Sequence, residues 1–224
     1  MAFSLDAYMA QAKKDYQQKE LEKLGLTPED EQFLEIVNFM SLLYYEVAEN
    51  DLMPQAVLGN MFVDHFVDSI QPLLLFGFKN EATLLVLNAG VGFPAVPTAV
   101  FRPDLKITMV EEDEKKRDLL RRCIEVSGLK NLTVAHTGAD ELEGSFDYVV
   151  GREAATLQDF TKVAKKFVAK GGRMYCFETA DFYKELSEIT MNKESEGVCV
   201  SEIAEYDLAQ KHYGRNLVAF DLFG

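Results

Sequence analysis

The sequence predicts an α/β fold built on an open, mostly parallel sheet, and three observations support this prediction. From residue 82 onward, short apolar runs alternate with helical patterns, at about 25 residues per pair. Such alternation is typical of parallel strands joined by crossover helices. The first run leads into a glycine-containing segment, residues 88–92, and the last two runs have no helical pattern between them. We therefore expect a doubly wound sheet that ends in an antiparallel hairpin.

The individual elements follow from the same patterns. Strands are predicted at residues 83–87, 107–110, 132–135, 148–150, 173–177, 198–203 and 217–222. Helices between them are predicted at residues 95–101, 114–127, 157–169 and 182–190. About seven strands, mostly parallel and closed by a C-terminal hairpin, form the layout of the Rossmann-like class I methyltransferase sheet.

The beginning of the chain has a different, helical pattern. We predict two domains, an N-terminal helical module at residues 1–80 and the sheet domain at residues 81–224. Thr27 stands before a proline and two acids, which is a typical helix start. A second helix is expected to begin near Pro54 and to run through His65.

Net charge limits the partners that the chain can bind. Of 224 residues, 23 are lysine or arginine and 37 are aspartate or glutamate, which gives a formal charge of −14. Residues 1–80 alone hold 5 lysines, no arginine and 13 acids. A general nucleic-acid binder carries the opposite charge, so any RNA must be bound by a local patch.

Cysteine spacing and hydropathy predict a protein of a reducing cytoplasm. Cys123, Cys176 and Cys199 are far apart and form neither a disulfide framework nor a zinc motif. The N-terminus lacks the layout of a secretory signal. Residues 82–101 are uncharged, but glycines and prolines interrupt them, so they predict a strand, a loop and a helix start rather than a membrane span.

The ends of the first three strands carry residues that suit a nucleoside. In such a sheet the ligand lies beyond the carboxyl ends of the strands, where the strand order reverses. Gly90 and Gly92 let a ligand approach the backbone, or simply permit a tight turn. Glu111 can accept hydrogen bonds from both ribose hydroxyls, or can belong to an acidic helix start. Ala139 and Asp140 can hold an adenine amino group or cap a helix.

Five segments carry a family resemblance. They are residues 65–70 (His-Phe-Val-Asp-Ser-Ile), 90–94 (Gly-Val-Gly-Phe-Pro), 102–105 (Arg-Pro-Asp-Leu), 128–134 (Gly-Leu-Lys-Asn-Leu-Thr-Val) and 146–152 (Phe-Asp-Tyr-Val-Val-Gly-Arg). Together they resemble the bacterial 16S ribosomal RNA guanine-N7 methyltransferase family, also called glucose-inhibited division protein B. Their order and spacing match from about residue 40 to the C-terminus.

The resemblance implies S-adenosylmethionine as the cofactor and a guanine N7 of small-subunit ribosomal RNA as the methyl acceptor. It implies a cofactor site made of Asn88, Ala89, Gly90, Gly92, Phe93, Glu111, Ala139 and Asp140. It also implies a catalytic Arg152, with Lys211 and Arg215 joining Arg152 in substrate binding. No metal is implied, and the N7 lone pair needs alignment rather than a general base.

The chain departs from the family at several of these positions. The family's first motif, Asp-x-Gly-x-Gly-x-Gly, is replaced by Val86 at its acid and Asn88 at its first glycine. Gly151 stands where the family has serine, and Glu178 reverses the sign of the family's lysine. These departures keep two alternatives open: a methyltransferase-fold protein with a binding or assembly role, or a methyltransferase for a small molecule or protein.

Two further groups of residues have competing interpretations. His65 and Asp68 share a helix face, which suits a metal or an acid–base pair but is better explained by hydrogen bonding in helix packing. The turn before the last strand holds Lys211 and Arg215, which are well placed to reach the rim of the cleft. The sequence leaves the oligomeric state open.

Overall fold

The computed structural model describes most of the chain from residue 31 onward. The described residues are 22, 31–50, 52, 61–136, 138–152, 156–179, 182–191, 197–208 and 211–223. The helix start predicted at Thr27 and most of the helix predicted from Pro54 lie outside them. The predicted division into two domains at residue 80 stays a prediction.

Seven strands form one sheet. They are β1 (Thr83–Leu87), β2 (Lys106–Met109), β3 (Leu132–Val134), β4 (Phe146–Arg152), β5 (Val168–Glu178), β6 (Val198–Leu208) and β7 (Lys211–Leu222). Their order is β3-β2-β1-β4-β5-β7-β6. Neighbours are parallel, except that β7 runs antiparallel to β5 and β6. The predicted doubly wound sheet with a C-terminal hairpin is confirmed, and its strand order reverses between β1 and β4.

Helices cover both faces of this sheet. They are α1 (Glu31–Glu49), α2 (Gln71–Leu75), α3 (Ala95–Phe101), α4 (Glu114–Ser127), α5 (Leu157–Ala164) and α6 (Tyr183–Met191), with a π-helix at Phe62–Val67. The predicted bounds of α3 and α4 are confirmed. Asp113 accepts hydrogen bonds from the first amides of α4, and Gly128 ends that helix in the left-handed conformation.

Two apolar layers hold the helices to the sheet. One face of the strands packs against α1, α3, α4 and the π-helix, through residues such as Met40, Leu120 and Tyr175. The other face packs against α5 and α6, through residues such as Phe160 and Phe182. Because α1 shares its core with the sheet, the N-terminal helices are held directly over the strands.

Strands β4, β5, β6 and β7 are longer than predicted, and two of the wrong boundaries change the assignment of a helix and a turn. The helix predicted at residues 157–169 ends at Ala164, because β5 already pairs with β4 at Val168 and the amide of Phe146 donates to the carbonyl of Phe167. The turn predicted at residues 211–215 is part of β7, whose pairing with β6 extends to Leu208 and Lys211.

This longer pairing makes a two-stranded arm. Strand β5 ends at Glu178, opposite Asn216. The residues of β6 and β7 beyond that point, 206–208 and 211–215, therefore project past the carboxyl edge of the sheet. We call them the hairpin arm.

One cavity bears on where a ligand can lie. A cavity of about 500 Å³ lies between α1 and the ends of α3 and α4, and is lined by apolar residues such as Phe39 and Val126. It is at the amino edge of the sheet, away from the carboxyl ends of the strands.

Within the described ranges, no helix has the length and apolar character needed to cross a bilayer.

The motif Arg-Pro-Asp-Leu at residues 102–105 is a clasp at the end of α3. Arg102 donates to both carboxylate oxygens of Asp104 at 2.7 Å and to the carbonyls of Phe78 and Lys79 at 3.0 Å. Asp104 also accepts from the amide of Glu81 at 2.9 Å. The clasp therefore fixes the segment that leads into β1.

We expect Asp104→Asn to lower the free energy of unfolding by about 1–2 kcal/mol at pH 7, since charge-assisted hydrogen bonds are lost at a partly exposed site. These bonds, first that from Arg102, hold the pKa of Asp104 below its ordinary 3.8. The stabilisation should therefore be complete above about pH 4 and fade as the pH falls through the folded-state pKa. Urea unfolding at several pH values measures this.

The matched control is Asp118→Asn, which removes an exposed ion pair of 2.9 Å with Arg121 on α4. That change should alter stability by no more than about 0.5 kcal/mol. Equal losses for the two variants at pH 7 would show that the clasp does not stabilise the fold.

Candidate functional site

The loop after β1 has an unusual backbone. Asn88, Gly90 and Gly92 have φ values of 53°, 58° and 113°. Asparagine tolerates the left-handed region better than most residues, so Asn88 can take the conformation of the glycine that the resembled family has there. We call residues 88–94 the methyl-donor loop, after the cofactor that the family resemblance implies for it.

The two glycines of this loop have different surroundings. A Cβ on Gly92 would lie 2.9 Å from Cγ2 of Val96, so only glycine fits beneath the start of α3. A Cβ on Gly90 would meet no atom within 4 Å. The loop therefore packs tightly on its inner side and leaves open space at Gly90, where a ligand can approach the backbone.

Glu111 follows β2 and faces this loop. Its carboxylate accepts from the amide of Gly90 at 2.7 Å and from the amide of Asp113 at 2.9 Å. The side chain is 8% exposed. The sequence predicted that Glu111 and the glycines would lie at the same site, and the structure brings them together. Nothing in the sequence indicated that the carboxylate would also hold the loop by a hydrogen bond.

The residues predicted to lie near an adenine are at the neighbouring strand end. Ala139 and Asp140 belong to a 3-10 turn after β3. The Asp140 side chain is 93% exposed and lies 3.9 Å from Lys166. Its carboxylate accepts no described hydrogen bond, so it remains available to a donor from solvent or a ligand.

Arg152 ends β4 at the point where the strand order reverses. It is only 6% exposed. Its Nη2 lies 2.9 Å from Oδ2 of Asp68, and it also donates to the carbonyls of Asp64 and His65. The ring of Phe177 lies 5.8 Å from the guanidinium carbon. Arg152 therefore holds the π-helix against the sheet, and its predicted catalytic role stays a prediction.

Asp68 is the partner that makes this burial possible. It is fully buried, and Tyr206 of the hairpin arm donates to its Oδ1 at 2.6 Å. Burial and the nearby Asp68 raise the pKa of the Tyr206 hydroxyl, so it stays protonated and remains a donor. The interpretation of Asp68 as a packing residue fits these contacts, although its partners are Arg152 and Tyr206.

Tyr206 was not among the predicted site residues. It is separated from Asp68 by 138 positions, and one tyrosine in a strand gives no sign of a buried partner. Only its place opposite Arg215 in the β6–β7 pairing, beside the cleft, marks it as part of the site.

Two of the three predicted substrate-binding residues, Lys211 and Arg215, lie on the hairpin arm. Arg215 is half-buried, and its Nε has no hydrogen-bond partner among the described atoms. Arg215 is opposite Tyr206 in the β6–β7 pairing, and opposite residues of an antiparallel pair present their side chains on the same face. Because Tyr206 reaches Asp68, Arg215 lies on the same side of the sheet as the Arg152–Asp68 pair. Lys211 is in β7, but its side chain lies outside the described part.

His65 joins the π-helix to the methyl-donor loop. Its ring centroid is 5.4 Å from that of Phe93. Burial, and then the charges of Arg152 and Arg215, lower the pKa of His65 to about 3, so the imidazole is neutral at ordinary pH. In the described residues, no group of three or more histidine, cysteine or acidic side chains is arranged to hold a metal ion.

The departures from the family have visible packing consequences. A Cβ on Gly151 would lie 2.4 Å from the ring of Phe160, so glycine and this phenylalanine are matched. Val86 is fully buried between the strands. Burial and the nearby Glu185 raise the pKa of Glu178, even though the thiol of Cys176 donates to it at 3.2 Å.

We expect Arg152→Met to lower the free energy of unfolding by about 3–5 kcal/mol, because the Asp68 carboxylate would stay buried without its cation. Asp68→Asn combined with Arg152→Met should recover part of this loss, since no unpaired charge remains. Urea unfolding of both variants tests the expectation. A double variant no more stable than Arg152→Met would show that the buried charge is not the cause.

Restoring the family residue with Gly151→Ser should cost about 1–3 kcal/mol, because the added side chain overlaps Phe160. Phe160→Leu introduced together with it should relieve the overlap. Thermal unfolding should then rank the double variant above Gly151→Ser. If Gly151→Ser is as stable as the unmodified chain, the ring can move aside at no cost.

Sequence comparison finds relatives over most of the chain. The chain is 29% identical over 167 residues to ribosomal RNA small subunit methyltransferase G of Lactococcus lactis, covering 71% of this chain and 70% of that protein. It is 28% identical over 211 residues to the protein of the same name from Lactobacillus johnsonii, covering 91% and 88% of the two chains.

Solved structures support the fold. A ribosomal protein L11 methylase from Lactobacillus delbrueckii aligns with a TM-score of 0.56 at 12% identity, over 71% of this chain and 78% of that one. The M. jannaschii TYW2 structure in complex with AdoMet aligns with a TM-score of 0.51 at 15% identity, over 65% and 72%. At such low identity these similarities establish the methyltransferase fold alone.

A family profile matches most of the chain. The profile of the GidB family, described as rRNA small subunit methyltransferase G, matches residues 32–214, from the start of α1 to the hairpin arm. This range contains the methyl-donor loop, Glu111 and Arg152. The chain therefore belongs to the rRNA small subunit methyltransferase G family and is a methyltransferase.

Proposed function

We propose that this chain binds S-adenosylmethionine at the methyl-donor loop and methylates N7 of a guanine in small-subunit ribosomal RNA. The observation that carries the proposal is the bracing of the open glycine loop by Glu111 within a family of this activity. The alternatives without rRNA methylation are not favoured, because the family profile spans residues 32–214, which include every candidate site residue except Arg215.

The described residues suit the cofactor. The space above Gly90 leaves the loop backbone open, and Glu111 keeps lone pairs beyond those used by the two amides. Asp140 presents an exposed carboxylate at the next strand end. Glu111 would hold ribose hydroxyls, Ala139 and Asp140 would hold the adenine, and residues 88–92 would lie along the methionine end.

The chemistry makes few demands on the protein. When bound, S-adenosylmethionine supplies a sulfonium methyl group, which a guanine N7 lone pair can accept without losing a proton. The protein therefore has to align two atoms and exclude water rather than supply a base. In this proposal Arg152 and Arg215 would orient the base or its phosphate, together with Lys211 further along the hairpin arm.

The neutral state of His65 fits the same chemistry. A sulfonium and a methylated guanine are both cationic, and two arginines already lie near the site. A third positive charge would oppose binding of the cofactor and retention of the product. Because the pKa of His65 is lowered, its imidazole adds no third positive charge at ordinary pH.

We expect the chain to bind S-adenosylmethionine in calorimetric titration and to methylate small ribosomal subunits, with N7-methylguanine detected by mass spectrometry of digested RNA. Asn88→Gly should keep the affinity, since glycine takes the same backbone. Asn88→Val should weaken it about 5- to 30-fold, because a β-branched residue is strained at positive φ.

Two results would count against the proposal. If the chain does not bind S-adenosylmethionine at millimolar concentration, the proposed methyl donor is wrong. Binding without methylation of the subunits, or of their purified RNA, would leave a methyltransferase whose acceptor is not this RNA. Both Asn88 variants lack the side-chain carboxamide, but only valine strains the backbone. A loss of affinity in Asn88→Val alone therefore comes from strain, and a loss in both variants comes from the missing carboxamide.

A further inference from the structure

The contact between His65 and Phe93 connects two parts of the molecule that are distant in sequence. His65 belongs to the π-helix, and Phe93 belongs to the methyl-donor loop. Both side chains are buried, at 8% and 5% exposure. A π-helix is rare and is often found at functional sites, because its wider turn redirects side chains.

The backbone of His65 is held in place by hydrogen bonds to its carbonyl. Its carbonyl accepts from Nη1 of Arg152 at 3.3 Å and from the hydroxyl of Ser69. Arg152 is itself held by Asp68, which Tyr206 binds from the hairpin arm. The backbone of His65 is therefore held by β4 and, through Asp68, by the hairpin arm. Its imidazole extends from this point to the loop.

The methyl-donor loop is held by different contacts at its two ends. The amides of Gly92 and Phe93 both donate to the carbonyl of Ala89, at 2.8 Å and 3.1 Å. At its other end, Glu111 holds Gly90 and the carbonyl of Val110 accepts from the amide of Ala89 at 2.9 Å. The ring of Phe93 has the imidazole as its described aromatic partner, so the tight turn is braced on one side by Glu111 and on the other by His65.

We propose that His65 is a positioning residue, whose ring packs against Phe93 and holds the methyl-donor loop in the form that receives the cofactor. This inference rests on the proposed function only for the identity of the cofactor. It assigns no proton transfer to His65. Through Arg152, Asp68 and Tyr206, the same chain of contacts ties the loop to the hairpin arm, where substrate is expected to bind.

The first test uses ligand-free protein and hydrogen exchange. In His65→Ala, protection of the Gly92 and Phe93 amides should fall about three- to tenfold, the loss expected for one aromatic pair. His65→Phe keeps a ring against Phe93 and should retain protection. Tyr45→Ala, an exposed aromatic change on α1, should leave both amides unchanged. Unchanged protection in His65→Ala would overturn the proposal, whatever the cofactor is.

The second test separates positioning from a general loss of folding. His65→Ala should weaken S-adenosylmethionine binding by a similar factor in calorimetry, while His65→Phe restores it. Methylation should follow the same order, through the Michaelis constant for the cofactor more than through kcat. An affinity loss that His65→Phe does not restore would overturn a role for ring packing.

The third test distinguishes positioning from acid–base catalysis. The pH profiles of kcat for the unmodified chain and for His65→Phe should superimpose between about pH 5.5 and 9. An ionisation near pH 6.5 that disappears in His65→Phe would show that His65 exchanges a proton during turnover, which contradicts the proposal. If the unmodified chain binds cofactor without methylating RNA, the proposed acceptor fails while the exchange and binding tests still decide the role of His65.

Discussion

Arg152 and Asp68 face each other across the junction between the sheet and the helices that precede it, and both side chains are buried. A buried ion pair is costly to form and more costly to break, so its surroundings must supply further hydrogen bonds. Here Tyr206 and the carbonyls of residues 64 and 65 supply them. The π-helix, the end of β4 and the hairpin arm therefore meet at one point beside the methyl-donor loop.

The acidic charge of the chain has a partly structural explanation. Asp68 and Glu46, both among the acids of the first 80 residues, pair with Arg152 and Arg122 of the sheet region. The exposed Glu46–Arg122 pair contributes little to stability, whereas the buried pair decides where the π-helix lies. Asp68 thus docks the π-helix, so this negative charge has a structural role besides opposing RNA. Arg215 on the hairpin arm is a cation near the cleft whose Nε has no hydrogen-bond partner among the described atoms.

The positions at which the chain departs from its family are adjusted to their neighbours. Asn88 adopts a conformation that otherwise suits glycine, and Gly151 makes room for Phe160. Neither departure disturbs the strand pairing on which the site depends, since β1 and β4 remain in register through Leu87 and Gly151. A motif letter can therefore change while the backbone that presents the loop is kept.

The sequence by itself determined the α/β class, the mostly parallel sheet that ends in an antiparallel hairpin, and the strand ends at which the cofactor site is proposed. These features depend on hydrophobic periodicity and on glycines and acids at strand ends, which are local patterns. Only the tertiary structure decided which polar groups are buried together. Arg152, predicted in the cleft, packs against Asp68, and Tyr206 and the His65–Phe93 contact were found only in space. The physical reason is that pairing of buried charges and rings depends on contacts between residues up to 138 positions apart, and no local pattern records them.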